Sequence, residues 1–383
     1  MAKENNTLSF IISNVRRTKK VVIPVGLLFI ALAGCHSEKL VATVGDATIT
    51  ETDFLDRASR IPGESIPAGM DSGTATMVSM LREIMTNQLA KTKNGAPTED
   101  EVKALTDYQV KLDAKYQVAI DKGQLTREDL LRSFRYSLCE FGIGTEGAKI
   151  DDKKVLEEYN KYKDQAPTIP NPASSSGQTN NPVKRAAVYI VRMLQLPNEA
   201  AAKQALEQLQ KTGDFRRVAR ALSSDPQLIE TAGRELFLPK EFVSRQLPAL
   251  ETALAKLSDG QFTPAPVIVS SPTQGNPTVT QNIFIVGQLV KKEPDLTLTL
   301  QEAAPGLRLR LMESTHPDWR THKDQEMAKY TKGLLDSNKL DIKVDRLKTV
   351  KDTFVRTMAE SFQATAPGGT LNGGSAPPAG AGR

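Results

Sequence analysis

The sequence predicts an α+β protein with two folded domains, of which the first is mostly helical and the second combines a small antiparallel sheet with flanking helices. Its 383 residues are enough for two domains. In the first half of the chain, apolar residues recur at helical spacing. After a stretch rich in Pro, Ser, Asn and Gly at 166–184, strand and helix patterns alternate instead, and this change marks the expected boundary.

The N-terminus has the layout of an export signal. A basic segment at 16–20 precedes an apolar stretch at 21–33 that is too short to span a bilayer comfortably. The stretch ends in Leu-Ala-Gly-Cys, which resembles the lipobox of bacterial lipoproteins. The resemblance implies cleavage before Cys35 and a diacylglycerol on its thiol. The alternative is an ordinary N-terminal membrane anchor with an incidental cysteine.

The residue after the cysteine indicates where the anchor would lie. His36 stands where an aspartate typically retains such lipoproteins in the inner membrane. We therefore expect attachment to the periplasmic face of the outer membrane, with the inner membrane or the cell surface as alternatives. One acylated end is enough for a tether, so the rest of the chain is expected to be soluble.

Charge and cysteine content exclude two kinds of protein. The chain has a net charge of +5, of which residues 1–34 account for +4 because they hold five basic residues and Glu4. About +1 is left for the rest, so the high isoelectric point does not indicate a nucleic-acid partner. Beside Cys35 the only cysteine is Cys139. It cannot form a disulfide within the mature chain, and we expect a buried, inert thiol.

The first domain opens with a hairpin and continues in helices. Strand patterns at 40–44 and 48–49 flank a Gly-Asp turn, and Thr50 with Asp53 forms a capping box that starts a helix. Two further boxes, Thr98 with Glu101 and Thr126 with Asp129, start later helices, and a shorter helix is expected at 151–162. An apolar stripe at helical spacing predicts a buried face and consists of Met77, Met80, Leu81, Ile84, Met85 and Leu89.

The second domain alternates between strands and helices. Strands are expected at 186–194, 267–269 and 283–290, helices at 198–211, 214–222 and 248–257, and a flexible loop at 270–280. Thr299 and Glu302 then form a capping box, helices extend to about residue 335, and a strand is expected at 340–344. The Gly-, Ala- and Pro-rich tail at 365–383 is expected to be disordered.

The order of these segments resembles the periplasmic foldases of the SurA and PrsA type, which combine a helical chaperone domain with a parvulin-type prolyl isomerase domain. "VATVGDATITETDF" is similar to the opening hairpin and helix of that family. Two helices of the parvulin domain are similar to "GDFRRVARALSSDPQ" and "PALETALAKLSDGQFTPAPV". The family's C-terminal helix and strand, which return to the chaperone domain, are similar to "LTLTLQEAAPGLRLRL" and "KLDIKVDRL". The resemblance covers most of residues 40–348. With its expected lipid anchor, this layout also resembles the EpsD branch of the family, which is associated with exopolysaccharide and exosortase systems.

The resemblance implies a division of the whole chain. Its parts are a lipoprotein signal peptide at 1–34, a helical chaperone-like domain at 35–165, a flexible linker at 166–185, a parvulin-like domain at 186–293, helices and a strand returning to the chaperone domain at 294–348, and a helix end with a disordered tail at 349–383.

The isomerase site of the family is only partly retained. Parvulins resemble one another in an apolar cup for the proline ring, two buried histidines and a Cys or Asp. In this sequence Tyr189 and Phe284 stand at the two histidine positions, and neither side chain can replace an imidazole. Asp225 falls at the Cys or Asp corner, with a simple turn residue as the alternative. Leu236 and Leu250 stand in the proline cup, with a core role as the alternative. The resemblance implies that Tyr189 and Phe284 also contact the bound peptide, in a cup that brings Tyr189, Asp225, Leu250 and Phe284 together.

Two other patterns are interpreted without a ligand. Gly142, Gly144 and Gly147 satisfy G-x-G-x-x-G, but a helix rather than a strand precedes them, so no nucleotide site is expected. His316 and His322 have poor spacing for metal ligands, and no metal or cofactor is expected. All three histidines of the chain lie outside 186–293, which excludes a Ser-His or Cys-His hydrolase centred there.

Three functional classes therefore remain. The first is a working prolyl isomerase and foldase. The second is a chaperone that binds unfolded or nascent exported polypeptides, with isomerase activity weak or lost, and this is the interpretation we favour. The third is a non-catalytic structural lipoprotein of an envelope or exopolysaccharide secretion system. In all three the membrane is contacted through the lipid anchor.

Overall fold

The computed structural model describes residues 38–60, 66, 70–167, 181–222, 226–273 and 276–351. Helices predominate and the sheets are small and antiparallel, so the predicted α+β class is confirmed. Three predicted features lie outside the described residues: the signal peptide with Cys35, the corner residue Asp225, and the tail after residue 351.

The chain divides into two compact units. Unit 1 comprises Met1–Val102, Glu128–Ile150 and Arg310–Arg383, and unit 2 comprises Lys103–Arg127 and Asp151–Leu309. This division differs from the one expected from the sequence, because residues 103–127 and 151–165 fall with the sheet domain.

The elements follow one another in chain order. The first half holds β1 (Leu40–Val44), β2 (Ala47–Thr50), α1 (Glu51–Arg60), α2 (Ser72–Thr92), α3 (Glu99–Leu112), α4 (Ala114–Asp121), α5 (Arg127–Gly144) and α6 (Asp152–Lys163). The second half holds β3 (Lys184–Arg185), β4 (Val188–Leu196), α7 (Glu199–Thr212), α8 (Phe215–Leu222), α9 (Pro226–Thr231), β5 (Leu236–Pro239), α10 (Lys240–Gln246), α11 (Pro248–Ala255), β6 (Val267–Thr273), β7 (Asn276–Glu293), β8 (Leu296–Thr297), α12 (Leu300–Thr315), α13 (Trp319–Asp336) and β9 (Leu340–Ile342).

Unit 1 is built on a three-stranded sheet in the order β2-β1-β9. β9, the strand expected to return to the N-terminal domain, pairs antiparallel with β1 through Ala42 and Ile342. The capping box at the start of α1 is formed, because the Asp53 amide donates to Thr50 Oγ1 at 3.2 Å and the Thr50 amide donates to Asp53 Oδ2 at 3.4 Å. These bonds satisfy amides that the first helical turn leaves without partners.

The predicted apolar stripe of α2 forms much of the core of unit 1. Met77, Leu81, Met85 and Leu89 are buried, and the remaining two members pack against them in part. Cys139 lies in the same core, where burial raises the pKa of its thiol to about 11. The thiol is therefore protonated near neutral pH and unreactive, as expected for a buried cysteine.

The glycine pattern at 142–147 serves close packing inside unit 1. A side chain on Gly142 would overlap the backbone of Gly95, and one on Gly144 would overlap the carbonyl of Trp319. Gly147 has φ +70°, which favours glycine. The glycine spacing that resembles a dinucleotide-binding motif is thus explained by other backbone segments that lie close to these glycines.

No helix among the described residues combines the length and apolar character needed to cross a bilayer.

Unit 2 is built on a four-stranded antiparallel sheet in the order β5-β4-β7-β6. β4 has the long neighbour β7, with Tyr189 opposite Lys292 at one end and Leu196 opposite Phe284 at the other. β6 and β7 extend through most of 270–280, which was expected to be a flexible loop, so that expectation is wrong for the backbone described there. The β-forming residues at 278–280 outweigh the turn-forming Pro, Gly and Asn around them.

The segment expected to be a flexible linker is structured at its end. The Asn181 side chain donates to the carbonyls of Tyr162 and Gln165 and accepts from the amides of Val183 and Lys184, all at 2.9–3.1 Å. Val183 is buried, and β3 pairs with β8. Residues 181–185 are therefore held in place before the predicted boundary at residue 186, because one buried amide satisfies four backbone groups.

Candidate functional site

The central sheet of unit 2 has two faces with different neighbours. Odd-numbered residues of β4 lie on one face, which is packed by α10 and α11, and we call it the Tyr189 face. Leu194 and Leu196 lie on the opposite face with α7 and α8, and we call this the Phe284 face. Successive side chains of a strand point to opposite sides, so a one-residue difference decides which face a residue joins.

Tyr189 and Leu250 lie together in the core of the Tyr189 face. Leu250 has only 1% of its surface exposed. The Tyr189 hydroxyl donates to Glu251 Oε1 at 3.2 Å. Burial, and secondarily the Glu251 carboxylate, raises the pKa of Tyr189 to about 12, so its hydroxyl keeps its proton at physiological pH. The two residues therefore form a neutral, packed layer beneath the surface of this face.

Leu236 lies on the same face but nearer to solvent. It is the first residue of β5, opposite Val191 of β4, and 38% of its surface is exposed. Of the predicted cup residues, Tyr189, Leu236 and Leu250 therefore share one face of the sheet.

Phe284 does not join them, and the expectation that it would meet Tyr189 is wrong. Its partner on β4 is Leu196, whereas the partner of Tyr189 is Lys292, eight residues further along β7. At about 3.3 Å per residue the two positions are roughly 26 Å apart along the strands. Phe284 also lies on the opposite face, where it packs in part with Phe262. The sequence comparison identified both strands but not their antiparallel register.

The fifth predicted position, Asp225, lies outside the described residues. Its role at the corner after α8 stays a prediction.

Part of the Tyr189 face consists of apolar residues that are not fully buried. Gly287, at the centre of β7, lies opposite Met193 and provides no side chain between Ile285 and Leu289. The rim consists of Met193, Val269 and Ile283, which are partly buried, and the more exposed Leu236. We call Gly287 and these four rim residues the hollow.

The hollow has no group that could transfer a proton. Its rim is formed by aliphatic and thioether side chains, and neither segment of unit 2 contains a histidine. Glu235, the residue before Leu236, is in ion pairs with Arg192 at 2.8 Å and with Lys122. The arrangement can bury an apolar side chain of a ligand, and it offers no acid or base at the place of contact.

Sequence reasoning missed Met193, Val269, Ile283 and Gly287. The signal that could have found them is a glycine inside an otherwise β-branched strand, which often marks a place where another chain or ligand approaches. The pattern was visible at "NIFIVGQLV", but the register needed to place it opposite Met193 was not.

A concavity lies within unit 1, between the β1–β2 turn, α2 and α13, and measures about 960 Å³. Asn87 Oδ1 in its lining is buried without a hydrogen-bond partner among the described residues, whereas other polar groups there are bonded. The Gln88 side chain donates to the Val44 carbonyl at 2.9 Å and accepts from the Tyr330 hydroxyl at 2.8 Å. Glu326 forms ion pairs with Lys93 and Lys329, and these hydrogen bonds lower the pKa of Glu326 to about 2. These bonds join secondary-structure elements within unit 1, which is a structural role.

A scan against protein-family models finds no match for the chain, and a search of curated proteins finds none either. Solved structures that match it include PrsA foldases and SurA-like chaperones. The peptidylprolyl isomerase PrsA of Bacillus cereus is 17% identical over 83% of this chain and 98% of that chain, with a TM-score of 0.25.

Two further matches are of the same kind. PrsA of Bacillus subtilis is 16% identical over 83% of this chain and 98% of that chain, with a TM-score of 0.23. A SurA-like chaperone of Campylobacter jejuni is 17% identical over 78% of this chain and 98% of that chain, with a TM-score of 0.28. At such identities and TM-scores, the interpretation of the site rests on the geometry of this chain itself.

Proposed function

We propose that the chain is a foldase-like chaperone outside the cytoplasm that holds unfolded or nascent exported polypeptides and has weak or no prolyl isomerase activity. A lipid on Cys35 would tether it to the periplasmic face of the outer membrane. The observation that carries the proposal is the hollow, a set of incompletely buried apolar residues on one face of the sheet in a domain without histidine.

The size and chemistry of the hollow fit transient binding of an unfolded chain. Fully burying one aliphatic or aromatic side chain contributes about 1.5–3 kcal/mol. The hollow is open on one side, so it can accept one such side chain in part, together with its neighbours along an extended segment. Contacts of this strength favour many different segments over one partner, which suits a protein that must release its clients again.

The same chemistry disfavours catalysis. Rotation about an X-Pro bond must overcome a barrier of about 18–20 kcal/mol. Only interactions stronger in the twisted state than in the ground state lower that barrier. Apolar contacts to the ring of a proline are equal in both states, and the side chains of the four rim residues carry no charge or hydrogen-bond donor to distinguish them. Peptide binding is therefore compatible with this surface, whereas efficient isomerisation is not.

The proposal is tested by suppression of aggregation. The full chain in lipid nanodiscs is mixed with a diluted, unfolded outer-membrane protein, and light scattering is followed. Leu236→Ser removes an apolar side chain from the rim of the hollow. Leu300→Ser is a matched control in the same unit, because Leu300 is 37% exposed and Leu236 is 38% exposed. We expect the wild type and Leu300→Ser to suppress scattering and Leu236→Ser to lose much of that effect.

Two results would contradict the proposal in different ways. Full protection by Leu236→Ser would show that clients do not bind at the hollow. No protection by the wild type would exclude the chaperone function and favour a structural lipoprotein of an envelope or exopolysaccharide secretion system.

A further inference from the structure

The outer strand β6 offers a free edge to another chain. β6 lies at one end of the sheet and pairs only with β7. The preceding segment follows the same side of β7, where the Gly260 amide donates to the Leu289 carbonyl at 2.7 Å and the Thr263 amide to the Gly287 carbonyl at 2.9 Å. Within the described residues, no strand lies on the other side of β6. Alternate amides and carbonyls of an edge strand point away from the sheet.

The two edges of this sheet differ in how they are protected. β5, the opposite edge, is four residues long, ends in Pro239 and is followed by Lys240. Short length, proline and lysine are common means of preventing edge-to-edge pairing. The first five residues of β6, Val-Ile-Val-Ser-Ser, contain neither a charge nor a proline. Ile268 in this segment has 50% of its surface exposed. Such an edge is a template for an added strand.

The side chains of β6 connect this edge to the hollow. Val269 is a rim residue of the hollow and lies opposite Ile283. Ile268 lies opposite Phe284, on the other face. A strand added beside β6 would therefore place alternate side chains next to the hollow and next to Ile268, because the side chains of a strand alternate between the faces.

We infer that an extended segment of a client polypeptide adds to the sheet as a strand along β6. This inference rests on the proposed function and specifies how the client is held. Main-chain hydrogen bonds provide most of the affinity, and the hollow receives one side chain in two. The preferred ligands are therefore segments with alternating apolar residues and free amides along one edge, with little further sequence requirement.

Backbone N-methylation tests the inference directly. Two labelled peptides have the same alternating apolar sequence, and each has N-methyl groups at alternate residues, so that each blocks a different edge. Their binding to the full chain in nanodiscs is measured by fluorescence anisotropy. Loss of two or three main-chain hydrogen bonds predicts that one isomer binds at least about fivefold more weakly than the unmodified peptide, and that the other binds about as well.

A substitution on β6 gives the second measurement. Ile268→Lys places a charge on the edge, and Leu156→Lys is its control on α6 in the same unit, where Leu156 is 44% exposed. We expect Ile268→Lys to weaken binding of the unmodified peptide at least about fivefold, corresponding to about one hydrogen bond. Leu156→Lys should bind like the wild type, and circular dichroism should show both variants folded.

The outcomes separate this inference from the proposed function. Equal affinities of the two N-methyl isomers, with binding retained, would overturn strand addition and leave the hollow as the client site. Failure of every peptide to bind would overturn both. In a further outcome the peptide-free protein dimerises, and Ile268→Lys abolishes the dimer but leaves peptide binding unchanged. That result would assign the edge to a second copy of the chain and would also overturn the inference.

Discussion

Filling the hollow should weaken client binding while the domain stays folded. In Gly287→Val the new side chain would stand between Met193 and the rim residues opposite. A Cβ at position 287 would lie 3.1 Å from the Arg192 carbonyl oxygen and 3.6 Å from Met193 Cβ. The first distance is tight and requires a shift of a few tenths of an ångström. The cost is opposed by the gain from removing glycine from a strand, about 0.5–1 kcal/mol.

The effect on binding should be larger than the effect on stability. A client side chain half-buried in the hollow contributes about 0.75–1.5 kcal/mol, half the value for full burial. Its exclusion predicts an affinity for an extended apolar peptide that is about 3.5- to 13-fold lower, measured by fluorescence anisotropy. Gly287→Ala should lie between the wild type and Gly287→Val. A folded Gly287→Val protein with unchanged affinity would refute the assignment of the hollow.

Three further predictions concern stability, measured by denaturant unfolding. Glu326→Gln should lower the free energy of unfolding by about 1 kcal/mol at pH 7. The pKa of Glu326 is lowered to about 2 in the folded state. Its contribution to stability is therefore fully present above the unfolded pKa of about 4.5 and is lost as pH falls toward 2. A constant difference from the wild type across that range would contradict this. Gly142→Ala should destabilise by about 1–3 kcal/mol, because its methyl group overlaps the backbone of Gly95, and a neutral effect would refute that packing. Asn181→Ala should cost about 1–3 kcal/mol by leaving buried backbone groups without partners, whereas a mobile linker would tolerate the change.

Local features of the fold could be predicted because they depend on neighbouring residues. The capping box of Thr50 and Asp53 and the buried stripe of α2 follow from spacings of three and four residues along one helix. The hairpin of β1 and β2 likewise follows from its Gly-Asp turn. These interactions are complete within a short window, and no distant contact can change which side chains meet.

The candidate site could be predicted only in part because it depends on strand register. Tyr189, Leu236 and Leu250 share a face, but Phe284 joins the other one. A strand pattern in sequence gives alternation but not the offset between partners distant in the chain. The pairing of Met193 with Gly287 is such an offset. The absence of histidine from the sheet domain, by contrast, holds in any register.

One measurement tests directly whether this domain binds proline-containing chains without isomerising them. In exchange NMR spectroscopy, an apolar peptide with one X-Pro bond reports binding by its shifts and isomerisation by its cis–trans exchange rate, with the full chain in nanodiscs as the added protein. We predict shifts that Leu236→Ser diminishes, together with an exchange rate close to that of the peptide alone. Efficient acceleration of exchange by the wild-type chain, as expected of an unimpaired isomerase, would contradict the account.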